Sequence, residues 1–325
     1  MTPYTDLRKS PRRSPEELLA LPFPLALFIE STNVCNFKCP ICTQSDPQFA
    51  EKSGYYKHMT PALFEQVIRQ LIQWKVRPKV MRFYGIGEPL LNRHLHSMIV
   101  LGGTLVNRTE ISTNGMLLAE RAYELIQSGL DYVRVSVYHT DNYEYRRESG
   151  SRFTADDVLN SVRKFRTIRD RSGVEHPRIC AKLTTSDPDW ETFQKQYAGV
   201  ADDLQMEIPY NWGSTKGRLV QLVKDPAIPR KVCPKPFFEM MVKANGDVSA
   251  CCVDWAGQLN LGNVQTHTLK EIWEGPELRD IRQAHLSGHR FDLPACSNCN
   301  LPEVTPDNMD SLIGINLARL EPVCH

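Results

Sequence analysis

The chain has 325 residues, 41% hydrophobic and 24% charged, with a net charge of +1. This length and balance allow a sizeable core in one large or two modest domains. The near-neutral charge excludes the basic footprint of a nucleic-acid or anionic-membrane binder, and no run reaches the ~18 apolar residues that span a bilayer. A small molecule is the expected partner. Ten cysteines gather in short, ligand-like spacings, which in a long chain reads as metal binding in a reducing, cytoplasmic compartment rather than as disulfides.

Residues 1–22 form an N-terminal extension. Arg8, Lys9, Arg12 and Arg13 ahead of the apolar run 18–28 imitate a signal peptide, but Glu16, Glu17, Pro22 and Pro24 interrupt it. From 23 to 212, strand-like and helix-like segments alternate, the pattern of a parallel sheet with crossover helices. Strands are expected at 25–30, 79–84, 110–113, 132–138, 178–184 and 204–208. Helices are expected at 61–74, opened by Thr60 as N-cap with Pro61 behind it, and at 92–102, 118–128, 155–171 and 189–197. The fold class is therefore α/β, a partial (β/α)6 barrel, whose active site belongs at the C-terminal ends of the strands.

A linker rich in Gly, Lys and Pro at about 213–231 opens a smaller α+β unit that runs to residue 300. In it, 237–244 and 248–252 flank Asn245-Gly246, the signal of a type I′ hairpin. Thr268 and Glu271 form a capping box, and 276–286 is a further helix. The tail 301–325, with Cys324, carries no signal.

The first strand runs into Cys35, Cys39 and Cys42, spaced C-x3-C-x2-C. Three soft thiolates in one loop suit three irons of a [4Fe–4S] cluster and leave the fourth iron with an open position. A zinc knuckle borrowing His58 is the alternative, although structural zinc sites are normally closed. A second set, Cys233, Cys251, Cys296 and Cys299, can surround a cluster, or a zinc ion, with no vacancy. The second strand ends in Tyr84-Gly-Ile-Gly-Glu-Pro89, where Gly85 and Gly87 permit close approach of backbone to ligand and Glu88 offers a carboxylate. Strand alternation turns Arg134, Ser136 and Tyr138, then Cys180, Lys182 and Thr184, then Gln205 and Glu207, into the barrel. Of these, Arg134, Tyr138, Lys182 and Glu207 are the candidate substrate ligands, suited to a hydroxylated sugar, cationic forms included.

The cysteine loop behind an apolar strand resembles the signature of the radical S-adenosylmethionine (SAM) enzymes. The resemblance implies that Gly85, Gly87 and Glu88 grip the amino group of SAM, that Asn114 and Ser136 contact its carboxylate or ribose, and that Ile41 packs on adenine. It implies a flavodoxin- or ferredoxin-type reductant and a 5′-deoxyadenosyl radical that abstracts an unactivated hydrogen, chemistry that belongs to the cofactor. The run Gly246-Asp-Val-Ser-Ala-Cys-Cys252, with Gly262-Asn263 and Glu271-Ile-Trp273, is similar to the twitch domain, the short form of SPASM. That implies one auxiliary [4Fe–4S] cluster, hence two clusters in all. Twitch enzymes of this kind act on aminoglycosides and aminocyclitols in antibiotic biosynthesis, as epimerases or dehydrogenases. A substrate radical quenched by a thiol gives an epimer, whereas loss of a proton and an electron gives a ketone. Cys180, read as a lumen thiol, favours the epimerase, with Cys252 as second donor. The dehydrogenase is the alternative, followed by a peptide-modifying maturase and a structural zinc protein.

Overall fold

The computed structural model describes residues 14–185, 189–207, 209, 229–304 and 307–317. Arg8, Lys9, Arg12, Arg13, Ile208, Cys324 and most of the linker lie outside the described residues.

Local chemistry sets the main elements. The Thr60 hydroxyl accepts from Leu63 N–H at 3.3 Å and Pro61 fills the first turn, so the helix Pro61–Trp74 begins where the sequence signals it. Its Phe64, Val67, Ile68 and Leu71 form one buried stripe. Thr154 and Asp157 cap the helix Ala155–Arg171 reciprocally, and its Val158, Leu159, Val162 and Phe165 face inward. Strands β1 (Ala26–Ile29), β2 (Val80–Arg82), β3 (Arg108–Thr113), β4 (Tyr132–Val137), β5 (Arg178–Thr184) and β6 (Asp203–Glu207) lie side by side in chain order, each parallel to the next. This is the expected partial barrel, an open curved sheet. Val133, Val135 and Val137 on β4 and Ile179, Ala181 and Leu183 on β5 are buried in the main core, which turns their alternates to the opposite face.

The C-terminal unit continues the same sheet. β7 (Glu239–Val242) pairs in parallel with β1, with Ala26 opposite Glu239 and Ile29 opposite Val242. β8 (Asp247–Ser249) and β9 (Asn260–Asn263) follow antiparallel, giving the order β6-β5-β4-β3-β2-β1-β7-β8-β9. Distant segments reinforce this junction. Gln66 and Gln70 each donate to Val264 O at 2.8 Å, and Trp273 Nε1 donates to Leu21 O at 3.0 Å.

Two expectations need correction. The hairpin at Asn245-Gly246 forms, but not as type I′, because Gly246 (φ +93°) has a positive φ and Asn245 does not. Gly246 N–H bonds Lys243 O and Lys243 N–H bonds Asp247 O, a longer loop whose last residue is left-handed. A Cβ at Gly246 would also lie 2.9 Å from Asn263 Oδ1. The helix Asn142–Ser149, capped by Asp141, was not anticipated, since only Tyr145 and Ser149 of this polar segment are buried.

β1 is bonded on both edges and all four of its residues are buried. A chain cut after Glu207 would leave β1 as an unpaired apolar edge, the arrangement that templates aggregation. The fragment 14–207 should therefore aggregate at concentrations where the full chain stays monodisperse by light scattering; a monodisperse, folded fragment would refute this role for β7.

Candidate active site

The cysteine loop leaves the end of β1 and is framed by hydrogen bonds from neighbouring segments. Asn33 donates to Tyr55 O (2.8 Å) and accepts from Lys57 N–H (2.8 Å), while Gln44 donates to Asn33 O (2.5 Å). Thr32 and His58 pair through their backbones as an isolated bridge, and His58 is exposed. Within the loop, Cys42 N–H bonds Cys39 O at 2.8 Å and Phe37 N–H points at Cys35 Sγ at 3.4 Å.

The glycine segment after β2 packs directly on this loop. A Cβ at Gly87 would sit 2.4 Å from Thr32 O and 2.7 Å from Val34 O, so only glycine fits. Glu88 N–H bonds Val34 O at 2.9 Å. Its carboxylate reaches the next strand, accepting from Thr113 Oγ1 (2.7 Å), Asn114 N–H (2.8 Å) and Leu90 N–H (3.0 Å). Burial pushes this carboxyl up to about 7 against those hydrogen bonds. Asn114 Nδ2 returns to the cysteine loop, donating to Asn36 Oδ1 at 2.8 Å. Three loops from β1, β2 and β3 are thus sewn together at one end of the sheet.

They open on a cavity of ≈ 920 Å³. Cys35, Cys39, Cys42 and Ile41 form part of its wall, with Gly85, Gly87, Glu88, Asn114 and Ser136 beside them. Arg134, Tyr138, Lys182 and Glu207 line it too, with Lys182 Nζ 2.5 Å from Glu207 Oε2. The hairpin side contributes Lys235 and Cys252; Lys235 Nζ lies 3.0 Å from Glu239 Oε2 and 4.0 Å from Cys252 Sγ.

Cys180 is not on this wall. It faces inward as alternation requires, but it is fully buried one layer below Lys182, level with Arg134 and hydrogen-bonded to Tyr132. Alternation fixes the face of a strand and not the depth, so the expectation of a lumen thiol at Cys180 is corrected. Sequence reasoning also passed over Arg82, whose neighbours Met81 and Phe83 are fully buried and carry the same alternation signal, and Lys235, for which no signal existed.

The second thiol set is fixed from the chain behind it. Cys233 N–H donates to His285 Nδ1 at 3.0 Å and Arg290 Nη1 donates to Cys299 O at 2.9 Å. Cys233 lies near Cys296 and Cys299, and Cys251 near Cys233 and Cys299, although among the described residues no three His, Cys, Asp or Glu side chains are grouped as ligands of one metal ion. No disulfide joins the described cysteines. Burial pushes Cys35 up to about 12, with Glu88 adding to it, and burial does the same for Cys296. Bare thiolates are thus disfavoured in both places, and a cationic iron group is what would stabilise them.

Comparison with known proteins identifies both parts of the chain. Residues 29–174 match the radical SAM superfamily, and residues 233–300 match the SPASM iron–sulfur cluster-binding domain. The chain carries a radical SAM domain followed by a SPASM domain. Radical SAM domains bind a [4Fe–4S] cluster and SAM, and SPASM domains bind further iron–sulfur clusters. A probable GTP 3′,8-cyclase of Methanosarcina acetivorans is 28% identical over 91% of this chain and 80% of its own. Another, of Methanopyrus kandleri, is 33% identical over 41% of each chain, so the match spans about two fifths of that relative's length. In fold, the chain resembles BtrN in complex with AdoMet and 2-DOIA (TM-score 0.57, 21% identity, 89% of this chain and 97% of that one). It also resembles anSMEcpe with bound AdoMet (TM-score 0.60, 15% identity, 88% and 93%). Among the described residues, no helix is long and apolar enough to cross a membrane.

In this radical SAM fold Gly87 is the contact through which the glycine segment holds the cysteine loop. Gly87→Ala should lower unfolding stability by about 1–3 kcal/mol, the usual cost of overpacking. It should also reduce iron retention, read by denaturant titration and iron analysis; unchanged values would show that the two loops are not coupled there.

Proposed function

We propose that this radical SAM enzyme abstracts hydrogen from a secondary alcohol carbon of a small polyhydroxylated substrate, a sugar or cyclitol of the aminoglycoside class among them, and epimerises it. Cys35, Cys39 and Cys42 would hold the SAM-binding cluster, and Cys233, Cys251, Cys296 and Cys299 an auxiliary one. With a one-electron reductant of flavodoxin or ferredoxin type, the bound cluster and SAM supply the 5′-deoxyadenosyl radical. The segment Gly85, Gly87 and Glu88, with Asn114, Ser136 and Ile41, would seat SAM against the loop. Both oxygens of Glu88 already accept hydrogen bonds, so its first task is to fix the loops that shape this seat.

The observation that carries the epimerase reading is the position of Cys252. Cys252 is on the wall of the cavity that the cysteine loop also lines, packed against the cluster of Ala26, Phe28 and Met241. A thiol there gives a hydrogen atom to a substrate radical: the S–H bond breaks, a C–H bond forms, and the sulfur is left one electron and one proton short, both restored by reductant and solvent. Without such a donor, the hydroxyl-bearing radical would pass one electron to the auxiliary cluster that Cys233, Cys251, Cys296 and Cys299 would hold and one proton to solvent, and end as a ketone. That outcome is the dehydrogenase alternative. A second reading, cyclisation of a guanine nucleotide, draws support from the relative named a probable GTP 3′,8-cyclase that aligns with 91% of the chain.

One incubation separates these readings. Reconstituted enzyme, SAM, reductant and a panel of sugars, aminocyclitols and GTP are combined anaerobically in D2O, and products are read by mass spectrometry. The epimerase places one solvent deuterium on the inverted carbon, and Cys252→Ala abolishes the deuterium and yields ketone. Ketone without deuterium from the unmutated enzyme would leave the dehydrogenase, and consumption of GTP alone would leave the cyclase.

A further inference from the structure

The floor of the cavity carries more cations than carboxylates. Arg82 on β2 and Arg134 on β4 flank Glu110 on β3, with Arg82 Nε 3.1 Å and Arg134 Nη2 3.4 Å from Glu110 Oε2. Arg108 reaches the other Glu110 oxygen. Lys182 shares its charge with Glu207, and Lys235 with Glu239. The surplus is local: Arg82 and Arg134 have one carboxylate between them, Glu110, whereas Lys182 and Lys235 are matched by Glu207 and Glu239 and the rest of the wall carries Arg230 with Glu88 and Glu303, in a half-enclosed space where charge is poorly screened.

The placement of that surplus is specific. Glu110 is wholly buried, so its charge is consumed by the arginines, which outweigh its burial and hold its carboxyl down to about 2. The side chains of Arg82 and Arg134 keep 20% and 21% of their surface, and both line the cavity. Arg134 Nε and Thr184 Oγ1, on the same wall, have no hydrogen-bond partner among the described residues. A pair of planar guanidinium groups matches an oxyanion. It repels an ammonium group, and the sulfonium of bound SAM would add to that repulsion.

We propose that the substrate carries an oxyanion, a phosphate ester or a carboxylate, that docks on Arg82 and Arg134 with Lys182 beside it. This deepens the reading of the cavity as the substrate site and narrows the sugar and cyclitol class to its anionic members. Cationic aminocyclitols are disfavoured. The near-neutral net charge of the whole chain conceals the feature, because it is local.

The test is calorimetric titration of anaerobic, SAM-loaded holoenzyme with glucose 6-phosphate, gluconate, GTP and 2-deoxystreptamine. At least one anion should bind about tenfold more tightly than 2-deoxystreptamine, a difference of about 1.4 kcal/mol. The phosphate and carboxylate arms identify which oxyanion the floor prefers. Arg82→Gln should weaken the preferred anion by about tenfold or more, and Arg82→Lys, which keeps the charge but not the fork, by a few-fold. If Arg82→Gln fails to fold, Arg82→Lys carries the test. Tighter binding of 2-deoxystreptamine, no anion binding at all, or a folded variant pair within about twofold of the parent would overturn the proposal. Because binding is read without turnover, a ketone product would sink the epimerase reading and leave this one standing, and the reverse also holds.

Discussion

The parallel pairing of β7 with β1 is the constraint on which the site depends. β1 delivers the loop with Cys35, Cys39 and Cys42, and β7 opens the hairpin with Cys251 and Cys252. Four matched residue pairs hold the two strands edge to edge. The cysteine loop leaves the C-terminal end of β1, while antiparallel β8 carries Cys251 and Cys252 back to the level of the start of β7, and Cys252 reaches the wall of the cavity that the cysteine loop also lines. Were the C-terminal unit a separate body on the linker, the relation between these groups would vary with linker motion.

The second constraint is electrostatic. A polar lumen inside a partial barrel must keep its charges paired or solvated, since an unpaired buried charge is expensive. This chain meets that demand by committing Glu110 to three arginines, Lys182 to Glu207 and Lys235 to Glu239. Of these groups, Arg82, Arg134, Lys182, Glu207 and Lys235 line the cavity. At the other end, neutral hydrogen bonds to Glu88 bind three loops with little net charge, which suits a place reserved for a charged cofactor.

Much of this was legible in the sequence wherever a local rule decided the outcome. Thr60-Pro61 and Thr268 with Glu271 marked helix starts, and alternation along β4 turned Arg134, Ser136 and Tyr138 toward the cavity. The spacing of Cys35, Cys39 and Cys42 announced iron–sulfur chemistry before any fold was known. What escaped depended on distance or depth. No local pattern joins 26–29 to 239–242, because pairing across more than two hundred residues is a property of the whole fold. Alternation could not tell that Cys180 lies beneath the wall and Cys252 on it. The hairpin signal of Asn245-Gly246 was right about a turn and wrong about its type, since the loop needed one left-handed residue and not two.

The central claim is that the chain carries two independent thiol sets, each suited to its own iron–sulfur cluster. Mössbauer and elemental analysis of the anaerobically reconstituted chain tests it most directly, compared with a variant in which Cys35, Cys39 and Cys42 are all alanine. The account predicts about eight irons per parent chain and about four in the variant, both as [4Fe–4S], with SAM cleavage lost. Zinc in place of iron at the second set, or SAM cleavage retained by the variant, would contradict it.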